Sequence, residues 1–359
     1  MSTIEKIARE RALLNETIRG FLKERGYLEV ETPLFVASPD LSPNLTPFET
    51  SATEPNGTKH RGALITSPEF SMKKLLGLGL PQIYSLTKVF RDGEEFAHST
   101  SLGSSSGTHN PEFTMLEWYR QGQDYHFGMD ETEALVKKCI EAFAKRQPLP
   151  TTHFKGEEVC KSYLPLSKRE SERVGATLFR RVRVRDLFLE HVGLDLDTAT
   201  VEDQGAACKR LGLHSSSTDT ESDLFYRLFL AKVEPNLGQD PIFVYDYPKH
   251  QAALSQYTPD GKYGERFELY IRGLEICNAF TELTDAAEQR RRFAEEQEER
   301  KRLGRTAFPI DEKLLALLPS VRHPTFGNAL GVDRLHMVCA GATSIRDVLL
   351  FPASELFNV

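Results

Sequence analysis

The stretch from Thr87 to Arg120, TKVFRDGEEFAHSTSLGSSSGTHNPEFTMLEWYR, constrains the fold more than any other part of the chain. An apolar segment (Ile83, Leu86, Val89, Phe90) leads to Arg91 and a group of acids, crosses a Ser/Gly-rich stretch, and returns as an alternating segment from Glu112 to Tyr119. This pattern predicts two antiparallel strands joined by a long loop. Period two puts Phe113, Met115, Glu117 and Tyr119 on one face of the returning strand. A ring, a carboxylate and a phenol side by side are unusual for a face that only packs; the plain alternative is a two-sided surface strand.

The flanking sequence supplies the elements around this pair. Residues 3 to 25 carry a helical apolar stripe (Ile4, Ile7, Leu14, Ile18, Phe21, Leu22) that Gly26 ends, and Tyr27 to Glu31 reads as a short strand stopped by Thr32-Pro33. Residues 37 to 62 are rich in Pro, Ser, Asn and Gly and read as loop with room for a hairpin. Leu64 to Thr66 is a buried-strand candidate. Ser67, Pro68 and Glu69 then open a helix, and capping alone would explain all three. Residues 129 to 146 form an amphipathic helix and 147 to 235 are mostly helical. Lys168, Arg169, Arg173, Arg180, Arg181, Arg183 and Arg185 make the strongest basic cluster, either a solvated helix face or a docking surface. Phe243 to Tyr247 is a short strand and Arg266 to Phe280 a single longer one. Asp285 to Arg305 is an exposed, charge-dense helix without assigned chemistry, and Gly327 to Leu330 lead into a helix near Gly331 with Arg334 in its first turn.

The composition excludes several classes. Cys139, Cys160, Cys208, Cys277 and Cys339 are far apart, with no CxxC pair and no His at ligand spacing, so neither zinc nor a disulfide framework is expected. That usage, with no leader-like N-terminus and no membrane-length apolar run, predicts a cytoplasmic protein. A net charge of −7 gives no reason to expect nonspecific nucleic-acid binding.

Three fragments carry residues suited to phosphate and metal. Arg91 at a strand end can clamp a phosphate with both guanidinium nitrogens. Arg334 lies at a helix start flanked by Gly327 and Gly331, where free amides and the helix dipole also favour an anion. Glu275 and Glu282 stand seven apart; they share a face on a helix, or on a strand need a bulge near Asn278-Ala279. Near two arginines they are a candidate magnesium pair.

In order, these fragments resemble the three signature motifs of class II aminoacyl-tRNA synthetases. The first helix, strand and Pro33 resemble motif 1, FRDGEE…HNPEFTMLEWY motif 2, and GNALGVDR motif 3. TSPEF, HNPEFTMLEWY and GLEICNAFTELTD are closest to the lysine branch, and the resemblance runs from about Leu14 to Phe351. Lysyl-tRNA synthetases carry an N-terminal anticodon-binding barrel, whereas here motif 1 begins at once. With VEPNLG, FVYDYP and ERFELYIRGLE, this makes the chain similar to the elongation factor P lysine ligases, which attach lysine, typically (R)-β-lysine, to a lysine of elongation factor P.

The resemblance implies an α+β class II catalytic fold with a mainly antiparallel six-stranded sheet flanked by helices. It implies one domain over 1–359, a mostly helical insertion at about 150–235 and a homodimer built on motif 1. Activity would use ATP and Mg2+, with elongation factor P as acceptor and tRNA an unlikely one. Arg91, Arg334 and Glu275 would be catalytic. Arg91, Asp92, Gly93, Glu94, His109, Asn110, Phe113, Glu275, Ile276, Gly331 and Arg334 would surround ATP, with Phe113 stacked on adenine. Ser67, Pro68, Glu69, Glu117, Tyr119, Asn278, Glu282 and Ala329 would form the amino-acid pocket, and Glu275 and Glu282 would bind the metal. The chain departs from the pattern at Gly93, where the family has glutamate, in the longer loop from Phe96 to Thr108, and at Ala329, where tRNA-charging relatives usually have glycine. The competing expectations are a truncated lysyl-tRNA synthetase-like enzyme and a non-catalytic regulatory module.

Overall fold

The computed structural model describes residues 3–93, 107–145 and 178–357. Helix α1 (Thr3–Glu24) buries Ile7, Leu14, Ile18, Phe21 and Leu22, while Ile4, on the same stripe, stays exposed at its open end. Gly26 turns the chain with a φ of 83° into strand β1 (Leu28–Glu29). The Pro-rich region holds β2 (Phe35–Val36) and the hairpin β3 (Glu49–Thr53) and β4 (Lys59–Leu64), which pair as a small sheet in the order β2-β4-β3. Helix α2 (Glu69–Gly77) follows.

Strands β5 (Gln82–Phe90) and β6 (Glu112–Gln121) are antiparallel from Gln82 opposite Arg120 to Phe90 opposite Glu112. After helix α3 (Tyr125–Lys145) the description resumes near β7 (Arg180–Arg183) and helices α4 (Val184–His191), α5 (Val201–Arg210) and α6 (Glu221–Leu228). The N-termini of α5 and α6 are fixed by reciprocal Thr-to-Asp capping bonds, Thr200 with Asp203 and Thr220 with Asp223. Then come β8 (Ile242–Pro248), β9 (Tyr263–Ile271), β10 (Leu274–Thr281), α7 (Ala286–Arg302), α8 (Glu312–Leu317), β11 (Thr325–Gly331), α9 (Val332–Ala340) and α10 (Ala353–Leu356).

The main sheet has eight strands in the order β1-β5-β6-β11-β10-β9-β8-β7. The six central strands are antiparallel, and the two extra ones, β1 and β7, pair in parallel at the edges. One face carries the main core beneath α1, α3 and α9, including Leu116, Trp118, Phe267, Phe326 and Leu335. Trp118 is fully buried and donates to Glu131 Oε2 (3.0 Å). The other face of the central strands is open above β6, β10 and β11, and there the cavity forms.

Three expectations from sequence change. The segment from Arg266 to Phe280 is two strands, because Arg272 and Gly273 adopt φ of 56° and 73° and close a two-residue turn. Both strands are largely buried, and the Arg272-Gly273 pair is the short turn signal between them. Residues 180–183, within the basic cluster read as helical, form strand β7 beside β8; Lys168, Arg169 and Arg173 lie outside the described residues. Helix α7 is not simply solvated. It buries Gln289, Arg292, Phe293 and Arg300, and Arg300 donates to the carbonyls of Ser42, Leu45 and Thr306, holding the loop before β3 against the helix.

Candidate active site

Strand β6 supplies the floor. Its alternation sends Phe113 and Met115 to a cavity of about 500 Å³ and buries Glu117 and Tyr119 beneath it. The same cavity is lined by Ser67, Glu69, Arg91, His109, Asn110, Glu275, Ile276, Asn278, Ala329, Gly331 and Arg334, drawn from sequence positions up to 267 residues apart (67 to 334). Glu117, Tyr119 and Glu282 close the inner end behind Ser67 and Glu69.

At that end carboxylates crowd together. Glu117 accepts from Ser67 Oγ (2.7 Å) and from the Tyr119 hydroxyl (2.5 Å). Ser67 Oγ also accepts from the Glu69 amide (3.0 Å), so the serine is both cap and pocket wall; Pro68 occupies the N-cap position. Lys73, 2 % exposed and absent from the sequence-based set, bridges Glu69 and Glu282 at 2.6 Å each. Its ammonium is raised above its ordinary value because the charges of Glu282 and Glu69 outweigh the burial that opposes it. Burial with like charge from Glu69 pushes Glu117 up to about 8, and burial, against the Lys73 charge, leaves Glu282 at about 8. Gly327 of β11 is needed for this packing, since a Cβ there would overlap the Glu282 carboxylate and the Tyr119 ring.

The outer end is cationic and aromatic. Arg91 places its guanidinium 5.1 Å from the Phe113 ring centre, and its amide donates to Pro111 (2.9 Å). Arg334, in the first turn of α9, donates to the Glu275 carbonyl (2.9 Å), contacts His109 Nε2 (2.8 Å) and lies 3.8 Å from the Glu275 carboxylate. The strand irregularity beside Glu275, between Glu275 and Cys277, brings that residue to the arginine; the bulge is thus two residues earlier than Asn278-Ala279. Burial and the Glu268 charge push Glu275 up to about 7. Glu268, from the adjacent strand β9, accepts from Arg266, Tyr247 and Tyr270.

Of the two residues expected to hold the metal, Glu275 lines the cavity, whereas Glu282 lies beyond its lining and is engaged by Lys73. The carboxylate that faces Glu275 is Glu268. Asn110 lines the cavity but spends its side chain on the Glu112 carbonyl (2.6 Å) and the Ala353 amide (2.9 Å), which secures α10. Asn278 is held by Arg266 Nε (3.0 Å). Asp92 and Gly93 are exposed and do not line the cavity; Glu94 lies outside the described residues. Lys73 and Glu268 gave no sequence signal, one resembling any helix lysine, the other a polar residue in an apolar strand.

An antiparallel sheet with one arginine at a strand end against an aromatic ring and a second at the start of the closing helix is the catalytic architecture of class II synthetases. The chain belongs to the family of class II tRNA synthetases for D, K and N, whose model matches residues 2–355. Curated relatives include proteins named elongation factor P (R)-beta-lysine ligase. The one from Hamiltonella defensa subsp. Acyrthosiphon pisum is 35% identical over 352 residues, 96% of this chain and 94% of the relative. The one from Edwardsiella ictaluri is 36% identical over 348 residues, 95% and 93%, and the one from Salmonella typhi is also 36% identical over 348 residues. Among the described residues no helix is long and apolar enough to cross a membrane.

Proposed function

We propose that the protein is an ATP-dependent ligase that activates (R)-β-lysine or lysine as an aminoacyl-adenylate and transfers it to a lysine side chain of elongation factor P. The observation that carries the reading is the charge division of one cavity. At the inner end, Glu69, Glu117 and Glu282 face a single cation, Lys73. Fully ionised, they leave a surplus of two negative charges, which matches the two ammonium groups of a lysine or β-lysine. Buried carboxylates discriminate strongly because an analogue lacking an ammonium leaves them unpaired. The relatives named above support the acceptor.

At the outer end Arg91 and Arg334 hold phosphate oxygens and Phe113 stacks on adenine. The substrate carboxylate attacks the α-phosphate and pyrophosphate leaves. Catalysis is orientation and charge stabilisation, with Arg91 neutralising charge at the reacting phosphate. No group of three or more His, Cys, Asp or Glu among the described residues could hold a metal by itself. Magnesium, however, is often held by one or two carboxylates together with phosphates. Glu275, beside Glu268 and open to the cavity, fits that role; Glu282 does not. Bound there, magnesium would neutralise phosphate charge. The chain acts as one catalytic unit in which α4 to α6 form an insertion, and it works in the cytoplasm as a homodimer through the α1 region without tRNA.

The test is pyrophosphate exchange with (R)-β-lysine and with α-lysine, then mass spectrometry of elongation factor P incubated with enzyme, ATP and each amino acid. Exchange and a mass gain of one aminoacyl group are expected. Exchange without modification would move the acceptor elsewhere, toward tRNA or another protein. No exchange with either amino acid would favour a non-catalytic module.

A further inference from the structure

Two further carboxylates, outside the set read from the sequence, line the cavity. Asp40 belongs to the loop before β3, and Glu296 to α7. Glu296 Oε2 is shut off from solvent and has no hydrogen-bond partner among the described residues. Asp40 accepts from the Ser42 amide (2.8 Å). The pair is built rigidly, because Arg300, one helical turn beyond Glu296, binds the carbonyls of Ser42 and Leu45 on the Asp40 loop. Once a doubly cationic amino acid has balanced Glu69, Glu117 and Glu282, Asp40 and Glu296 remain as negative charge in the same cavity as the nucleotide residues.

The second reaction step needs such groups. A protein lysine arrives as an ammonium, which has no lone pair and cannot attack a carbonyl. We infer that Asp40 and Glu296 form the acceptor site, docking the ε-ammonium of the acceptor lysine and taking its proton, with Glu296 as the general base. This rests on the ligase function proposed above and assigns its second step. Glu296 removes one proton from the ammonium, and the neutral nitrogen adds to the adenylate carbonyl carbon. The carbonyl carbon–oxygen bond to phosphate breaks, its electron pair leaving on AMP, and the nitrogen loses its second proton through Asp40 to solvent. The surroundings suit a base. Burial and the charges of Asp40 and Glu69 push Glu296 up to about 8, with Arg292 and Arg300 opposing, which narrows the gap to an amine of ordinary pKa about 10.4. Asp40 is likewise raised, by burial and Glu69, against Arg91 and Lys73.

The experiment separates the two steps. Glu296→Gln and Asp40→Asn are compared with the unmutated protein in amino-acid-dependent pyrophosphate exchange, in transfer to elongation factor P, and in discharge of the adenylate by hydroxylamine, which is neutral at pH 7.5 and needs no base. For Glu296→Gln the expected result is exchange and hydroxamate formation within threefold, transfer reduced at least fiftyfold, and a transfer rate that recovers as pH rises toward 10. Glu296→Asp should restore part of the transfer. A parallel fall in all three assays, or a raised KM for the amino acid in exchange, would overturn the inference and assign the pair to the amino-acid pocket. If the unmutated protein forms adenylate but modifies no elongation factor P, the proposed function and this inference both fail. Equal transfer by both proteins would overturn the inference alone.

Discussion

The two ends of the cavity are built on opposite plans. The inner end sets two carboxylates, Glu69 and Glu282, on one buried lysine and holds a third, Glu117, with a serine and a tyrosine hydroxyl. At the outer end, Arg334 is held by the Glu275 backbone carbonyl and His109, and Arg91 lies against the Phe113 ring. Under the proposed function a dication would relieve the like charge of the inner end, and the arginines of the outer end would meet a polyanion. Specificity would then belong at the first and orientation at the second.

Removing the internal counter-ion should strain this contrast most. Lys73→Met leaves Glu69 and Glu282 buried without their shared cation, and losing one partner of a buried pair costs about 3–5 kcal/mol. Glu282, already pushed up to about 8 by burial against the Lys73 charge, would rise further above its unfolded value once that charge is gone. The penalty is present above the folded pKa and fades as pH falls toward the unfolded value, so thermal unfolding should show a larger deficit at pH 8.5 than at pH 5. Equal melting temperatures for variant and parent would show that the lysine is not the counter-ion.

The next effect concerns charge at the inner end alone. Glu117→Gln keeps the shape but removes a charged hydrogen-bond acceptor, worth about 1.5–3 kcal/mol. Steady-state exchange should therefore show the KM for the amino acid rising by one to two orders of magnitude, with the KM for ATP nearly fixed. If both constants rise together, the two ends are not independent.

Acidity supplies a milder probe. Glu117 and Glu282 are both pushed up to about 8, and ionised carboxylates bind an ammonium better than neutral ones. The KM for the amino acid should climb as pH drops from 8.5 to 6.5, whereas that for ATP should change much less. A flat amino-acid profile would mean these acids are already ionised throughout that window.

The smallest change is expected at the ring. Phe113→Leu removes a stacking surface worth about 1–3 kcal/mol for a base and should raise the KM for ATP by roughly tenfold while sparing amino-acid binding. An unchanged ATP constant would place the adenine elsewhere.

Much of this was legible in the sequence because period-two alternation in β6 names a face without reference to anything else. Phe113, Glu117 and Tyr119 were read that way, and Arg334 from its glycine-flanked helix start. What stayed hidden depends on contacts across the chain. Lys73 has the sequence context of any lysine in an amphipathic helix, and the arrival of Glu282, just beyond β10, makes it a shared counter-ion. Glu268 becomes the neighbour of Glu275 only through the Arg272-Gly273 turn, a short signal between two largely buried strands. Arg300 and Glu296 sit in a helix whose charge density reads as solvated, although one guanidinium is buried against distant carbonyls. The resemblance supplied Glu282 as a pocket residue and metal ligand; its ion pair with Lys73 shows only in the structure.

The alternation of β6 also governs how this protein can change in length. From Phe113 to Tyr119 alternate residues face the cavity side or the core, and neighbours on both sides lock the register. A single inserted residue would turn Trp118 toward the substrate and Glu117 into hydrocarbon. The strand is therefore a ruler that tolerates substitution but not growth, and added residues can be accommodated only beyond its ends, in segments such as the Ser/Gly-rich stretch that precedes His109.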